Sequence, residues 1–297
     1  MGALQQQRIM ALLLKAQPMV DQRLPEMQAE CARLVQQGIH PKLVVILVGD
    51  NPASLSYITK KKDLCEKIGA RFELRQFPAS ISAADFKQKL NDINADRAIH
   101  GCIIQLPVYG ESKTLPVEEL VEAAKDVDGF HPHNTSALYL GKIDKNALLP
   151  CTPKGVMSLL KFYGYDLTGK NVVILGRSQI VGKPLSLLMT LAGATVTVCH
   201  SQTQDVADFT RRADIVVAAV GKVNLLGAQH FDPSRNTVVI DVGMNKNDLG
   251  KLVGDVDFKA VEPLVAAITP VPGGVGPTTV LSLIENLLTA AKNQKDA

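Results

Sequence analysis

The chain has 297 residues, 46% hydrophobic and 21% charged, a length that allows one large domain or two ordinary ones around a real core. A net charge of +3 argues against a nucleic-acid or membrane-surface partner. No apolar run approaches the roughly 18 to 20 residues of a bilayer span, the run at residues 9–14 is too short for a secretory signal, and five scattered cysteines without CxxC spacing exclude a disulfide framework or zinc motif and fit a reducing, cytoplasmic setting.

Residues 4–37 are mostly helix formers, interrupted by Pro18 and Pro25. Leu24, Met27, Cys31 and Leu34 recur at helical spacing, which predicts one amphipathic helix ending at Gly38. The apolar run Lys42–Val48 predicts a buried strand. A helix follows before Gly69, with Asp50 or Asn51 as its cap and Pro52 in its first turn. Tyr57 and Lys61 stand four residues apart on it, on a face that Leu64 and Ile68 continue inward. Next come a short alternating strand at 71–75, a helix at 82–94 with Ser82 as cap, and an apolar strand at 99–106 stopped by Pro107. Residues 117–124 read as helix, and the pattern breaks at 125–130. This alternation predicts a parallel α/β layer.

Cys151-Thr152-Pro153 introduces a helix over 154–163. Strands at 171–175, 195–199, 215–219 and 238–242 then carry the signature of a doubly wound nucleotide-binding sheet. A Gly- and Pro-rich loop at 269–277 precedes a last helix at 278–292, which could pack on either domain. The domain junction is expected near 148–151.

Several residues in this frame could carry chemistry. Lys61 beside Tyr57 is either an amine reaching past the core edge with a packed ring, or a working amine in a pocket. Gln105 ends a buried strand, where open α/β sheets place ligand groups, and could bond backbone or an amine such as Lys61. In Asp126-Val127-Asp128-Gly129, turn chemistry accounts for Asp126 and Gly129. Asp128 is either a surface turn residue or an acceptor for paired N–H bonds from a planar heterocycle. The stretch from Asn171 to Pro184 places Gly176, Arg177, Ser178 and Gly182 where a helix start would hold a phosphate. It departs from the usual dinucleotide fingerprint, since Ser178 replaces the second glycine and Gly182 comes one residue late. After the next strand there is no carboxylate until Asp205, while Arg177 and the hydroxyl of Ser201 are at hand, which favours NADP over NAD. His131-Pro132-His133 lacks the further ligands a metal needs, so no metal is expected. There is no GxSxG nucleophile elbow.

These pieces give a family resemblance. Val48-Gly49-Asp50 with Ser54, Tyr57 and Lys61; Gln105-Leu106-Pro107; Asp126-Val127-Asp128-Gly129; Cys151-Thr152-Pro153-Lys154-Gly155; Gly176-Arg177-Ser178 with Val181-Gly182-Lys183-Pro184; Cys199-His200-Ser201; and the run from Pro270 to Pro277 occur in one order. In that order the chain resembles the bifunctional methylenetetrahydrofolate dehydrogenase/methenyltetrahydrofolate cyclohydrolase proteins over nearly its whole length. The N-terminal stretch matches least.

The resemblance implies an α/β protein of two domains with a cleft between them, and a homodimer. Residues 1–148 with the C-terminal helix 278–297 would form the folate-binding catalytic domain, and 149–277 a Rossmann-like NADP-binding domain. It implies NADP-dependent oxidation of 5,10-methylenetetrahydrofolate to the methenyl form, then hydrolysis to 10-formyltetrahydrofolate, within one-carbon metabolism. On this reading Tyr57 stacks on the aminobenzoyl ring, Asp128 holds the pterin edge, Lys61 handles protons and Gln105 orients it. Leu106, Pro272, Gly273, Gly274 and Gly276 line the substrate. Gly176, Arg177, Ser178, Gly182, Pro184 and Ser201 hold the cofactor, with Met244 near its nicotinamide end as a backbone contact. Two other readings stay open: a general NADP oxidoreductase of small carbonyl acids, and a non-catalytic NADP-sensing protein.

Overall fold

A computed structural model describes residues 10–295. The chain divides into two compact units. One takes the chain up to Met19 together with Gly155–Thr278, and the other takes Val20–Lys154 and the chain from Thr279 on. Among the described residues no helix is long and apolar enough to cross a membrane.

The unit built on Val20–Lys154 has a three-stranded parallel sheet in the order Arg71–Phe77, Lys42–Val48, Gly101–Gln105. The central strand is paired on both edges, and every residue after Lys42 is fully buried, which is why it reads as an unbroken apolar run. Helix Pro52–Lys67 follows at its C-terminal end. Asn51 Oδ1 caps it by accepting from the Ala53 N–H at 2.9 Å, and Gly69 leaves it at φ +88°. Ser54, Ile58, Lys61 and Cys65 form its buried stripe.

Helix Ala83–Ala95 buries Phe86, Leu90 and Ile93 against Val44 and Ile46, with Ser82 as its cap. The buried ammonium of Lys125 closes its C-terminus, donating to Ile93 O, Asn94 O and Asp96 O at 3.0, 2.7 and 2.7 Å. A cation there meets both the orphan carbonyls and the negative end of the helix dipole.

The helix expected over 117–124 is shorter, Val117–Leu120. Asn94 stops it: its amide donates to Leu120 O and its Oδ1 accepts from the Glu122 N–H, which replaces the next helical bonds. Helix Pro132–Tyr139 is an addition to the sequence reading. His131 caps it, its Nδ1 accepting from the His133 N–H at 3.1 Å, so the His-Pro-His run is a helix start.

The other unit has a six-stranded sheet, parallel throughout, in the order Leu12–Leu13, Ala267–Ile268, Val238–Asp241, Ile215–Ala218, Asn171–Leu175, Thr195–Cys199. Side chains alternate between two cores. Val172 and Ile174 pack with Leu159 and Leu185 on one face, and Val173 and Leu175 pack with Val216 and Phe231 on the other.

The N-terminal stretch corrects the sequence reading. Residues 12–13 are an edge strand, not helix: the Leu12 and Leu14 N–H groups donate to Ala266 O and Ile268 O, both at 2.9 Å. The helix begins only at Gln17 and runs through Pro25 to Gln36. Three leucines in a row fit either period, and only the distant partner strand at 267–268 decides between them. Residues 10–19 thereby group with the six-stranded sheet, whereas the sequence reading put them in the folate-binding domain. Residues 4–9 of the expected helix, and 296–297 of the expected C-terminal helix, lie outside the described residues. The last helix is Val275–Asn293, starting earlier than expected.

Candidate active site

Lys61 sits on the buried stripe of helix Pro52–Lys67 with 5% of its surface exposed. Its ammonium donates to Gln105 Oε1 at 3.0 Å, and the Gln105 amide donates to Leu106 O at 2.9 Å. The strand end therefore holds the amide, and the amide holds the amine. The Tyr57 ring, one helical turn earlier, lies with its centroid 5.1 Å from Lys61 Nζ, within cation–π range.

Asp128 completes the cluster. Burial pushes its carboxyl up, while the Lys61 charge and the Cys151 thiol oppose that rise. Burial likewise lowers the Lys61 amine, with Asp128 and Cys151 opposing. Burial first, and then Asp128, raise the Tyr57 hydroxyl. An amine in this setting reaches its neutral form far more easily than one in water, which is what a proton-transfer group needs.

The two aspartates of the turn divide their work. Asp126 accepts from the Gly129 N–H, the His131 N–H and the Asn134 amide at 3.0, 2.7 and 3.0 Å, so its oxygens are spent on the turn. Asp128 is the one placed with Lys61 and Tyr57.

Two residues absent from the predicted site support it. Cys151 donates its thiol hydrogen to Val127 O at 3.1 Å, and its own N–H donates to Asp128 O at 3.2 Å. Asn286, fully buried on the last helix, donates to Val127 O at 2.9 Å and Leu149 O at 2.8 Å, and accepts from Lys154 Nζ at 2.9 Å. Cys151 stood within a recognisable motif. Asn286 carries no local signal, because its partners are more than 130 residues away in sequence.

The predicted cofactor residues cluster in the other unit. Gly176 leaves strand Asn171–Leu175 at φ +115°, where an added Cβ would overlap Ala219 O. At Gly182, the first residue of helix Gly182–Leu191, a Cβ would overlap Gly176 O. Helix start and strand end thus meet through two glycines, despite the late position of the second. Ser178 Oγ accepts from the Val181 and Gly182 N–H groups at 3.2 and 3.4 Å, which explains a serine where the fingerprint has glycine. Pro184 is buried in the helix's first turn. Arg177 donates at 3.4 Å to Oε1 of Gln202, the residue after exposed Ser201 in the turn that follows strand Thr195–Cys199. A backbone cradle that Cβ atoms would fill, flanked by an exposed guanidinium with one long bond to Gln202, fits a dinucleotide carrying an extra phosphate.

Met244 is 54% exposed, with its sulfur 3.8 Å from where a Cβ on Gly276 would be. Pro272, Gly273 and Gly274 form the turn before the last helix. Gly273 O accepts from the Ala16 N–H at 2.9 Å, and the Gly274 N–H donates to Pro270 O at 2.8 Å. The structure thus gathers Tyr57, Lys61, Gln105, Leu106 and Asp128 in one unit, and the cofactor residues, the Pro272–Gly274 turn and Gly276 at the start of the last helix in the other.

A buried amine held by an amide and an aromatic ring in one unit, and a glycine-lined helix start of dinucleotide-binding type in the other, are the features of a two-domain α/β enzyme. Comparison with known proteins specifies it further. Residues 14–128 match the tetrahydrofolate dehydrogenase/cyclohydrolase catalytic domain, and residues 150–295 match the NAD(P)-binding domain of the same family. The bifunctional protein FolD of Geobacillus thermodenitrificans is 48% identical over 90% of this chain and 92% of its own length. The crystal structure of the bifunctional FolD dehydrogenase/cyclohydrolase from Campylobacter jejuni superposes with a TM-score of 0.90 at 43% identity, covering 95% of this chain and 99% of that one. FolD from Trypanosoma brucei, solved with NADP cofactor and inhibitor, gives 0.90 at 33% identity over 97% of this chain and 100% of its own. The chain belongs to the tetrahydrofolate dehydrogenase/cyclohydrolase family, and it is a bifunctional folate enzyme with both of that family's domains.

Proposed function

We propose that the chain oxidises 5,10-methylenetetrahydrofolate to 5,10-methenyltetrahydrofolate with NADP+, and hydrolyses the methenyl form to 10-formyltetrahydrofolate, through Lys61. The observation that carries this reading is the buried Lys61 amine, held at 3.0 Å by Gln105 and facing the Tyr57 ring at 5.1 Å. Tyr57 offers a π-face to the aminobenzoyl ring. Asp128 takes the pterin's N–H edge through charge-assisted bonds. Leu106, 42% exposed beyond Gln105, adds apolar contact.

Bound NADP+ supplies the hydride acceptor for the first step. The folate's own nitrogens stabilise the cation that results, so the residues act there by orientation. In the second step neutral Lys61 takes a proton from the water that adds to the methenyl carbon, and returns one to the ring nitrogen that leaves. Gln105 keeps the amine aimed throughout.

Arg177, Ser201 and the Gly176–Gly182 cradle support NADP over NAD. Five free, buried cysteines fit a reducing cytoplasm. A homodimer completes the proposal, to be checked by sedimentation.

The deciding assay follows the methenyl absorbance. With methylenetetrahydrofolate and NADP+ the signal should rise. With methenyltetrahydrofolate and no NADP+ it should decay faster than in buffer. A protein that does neither overturns the proposal.

A further inference from the structure

Asp255 is a fully buried carboxylate that no motif singled out. It lies just beyond the short hairpin of Asn245–Lys246 and Leu252–Val253. Four N–H donors converge on it. Its Oδ2 accepts from Val220 and Gly221 at 2.6 and 3.0 Å, and its Oδ1 accepts from Lys222 and the Asn245 amide at 2.9 Å each. Three consecutive backbone N–H groups, with Gly221 at φ +75°, form a concave nest of the kind that takes anions. Here the anion is the protein's own.

A second carboxylate fixes the first. Asp241, at the end of strand Val238–Asp241, accepts from the N–H groups of Gly243, Asp255 and Val256 at 3.0, 2.9 and 3.0 Å. Gly243 is packed so tightly that a Cβ there would overlap the Asp255 carboxylate, and a Cβ on Gly254 would overlap that of Asp241.

One of the segments gripped abuts the dinucleotide cradle, and the other carries Met244. Ala219, next to the nest, is the residue whose carbonyl closes against Gly176. Met244 lies between Gly243, packed on the carboxylate, and Asn245, bonded to it. Val220 and Met244 remain about half exposed, at 48% and 54%, although their neighbours are tied to a buried group. Side chains displayed from an anchored backbone are what a ligand-facing surface requires.

We propose that Asp255 is the positioning residue of the cofactor half, its one carboxylate holding the 219–223 loop and Met244 in the arrangement that dinucleotide binding requires. The inference rests on the functional reading above. Both oxygens already serve two donors each, so an amide in its place sets an NH2 against N–H groups whichever way it turns.

The test is Asp255→Asn in the full-length enzyme, because the two activities give an internal control. Methenyl hydrolysis needs no dinucleotide. The KM and calorimetric Kd for NADP+ should rise about tenfold, in line with the loss of buried hydrogen bonds. The rate of methenyl hydrolysis should stay within about twofold of wild type. A general loosening of structure would lower both activities together. Unchanged NADP+ affinity in the folded variant, or a parallel fall in hydrolysis, overturns the proposal. Where Asp255→Asn does not fold, Asn245→Ala removes one donor of the four, and its NADP+ affinity should fall about threefold at constant hydrolysis; no fall overturns the proposal. Wild-type protein that binds NADP+ but turns over no folate sinks the functional reading, and the calorimetric comparison then decides the clamp alone.

Discussion

Lys61 combines three properties that a surface lysine never has together: a fixed hydrogen-bond partner, an aromatic neighbour and a pKa lowered by burial. Replacing it with Met keeps the bulk and removes the nitrogen. Lys61→Met should retain folate binding and lose methenyl hydrolysis by about a hundredfold or more, the range of general acid–base catalysis. Normal hydrolysis by the purified variant removes the assigned role.

A pH profile is the finer readout. The ammonium form cannot accept a proton, so hydrolysis should weaken as pH falls through the lowered amine pKa and level off above it, below the ordinary lysine range. The variant's residual rate should lack that step. At Arg177, the Ala substitution should weaken NADP+ much more than NAD+ in paired binding titrations. The lost contact is to the 2′-phosphate that only the former carries. Equal losses would remove the argument.

At the scale of elements, the last helix contributes more than its amphipathic pattern announces. Asn286 sits in a core stripe among Ile284, Leu287 and Leu288, where an apolar residue would satisfy the period. The Leu substitution would leave Val127 O, Leu149 O and Lys154 Nζ without this partner. Val127 O keeps the Cys151 thiol and Lys154 Nζ keeps Glu285, so the cost falls mainly on the lost bonds and on Leu149 O, roughly 1–3 kcal/mol. Thermal unfolding followed by circular dichroism checks this, and an unchanged Tm would show that the amide is dispensable.

The same contrast marks what the sequence made legible. Strands Lys42–Val48 and Asn171–Leu175 are readable to the residue because burial on both faces makes them continuous apolar runs, and the half-buried edge strand Thr195–Cys199 because its residues are β-branched and bounded by turns. The Tyr57/Lys61 pair followed from helical spacing, and Gln105 from its place at a strand end. Strand Leu12–Leu13, Asn286 and Asp255 were not readable in advance. Each is defined by a partner far along the chain or by backbone donors that leave no pattern. His131 and Asn94 show the local version, since a capping side chain ends or starts an element without altering hydrophobic periodicity.

For the whole molecule, both units are assembled from pieces of chain that are not contiguous. Leu12–Leu13 supplies an edge strand to the sheet that otherwise begins at Asn171, and the last helix supplies Leu287 against Gly101 and Asn286 under the Asp128 turn. During synthesis, then, strand Leu12–Leu13 waits for Ala267–Ile268 to leave the ribosome, and the amine-bearing half stays unfinished until the final helix emerges after it. Both halves mature late, but in that order: a chain cut short before the final helix can close the redox sheet and still leaves the hydrolytic half without Asn286 and Leu287.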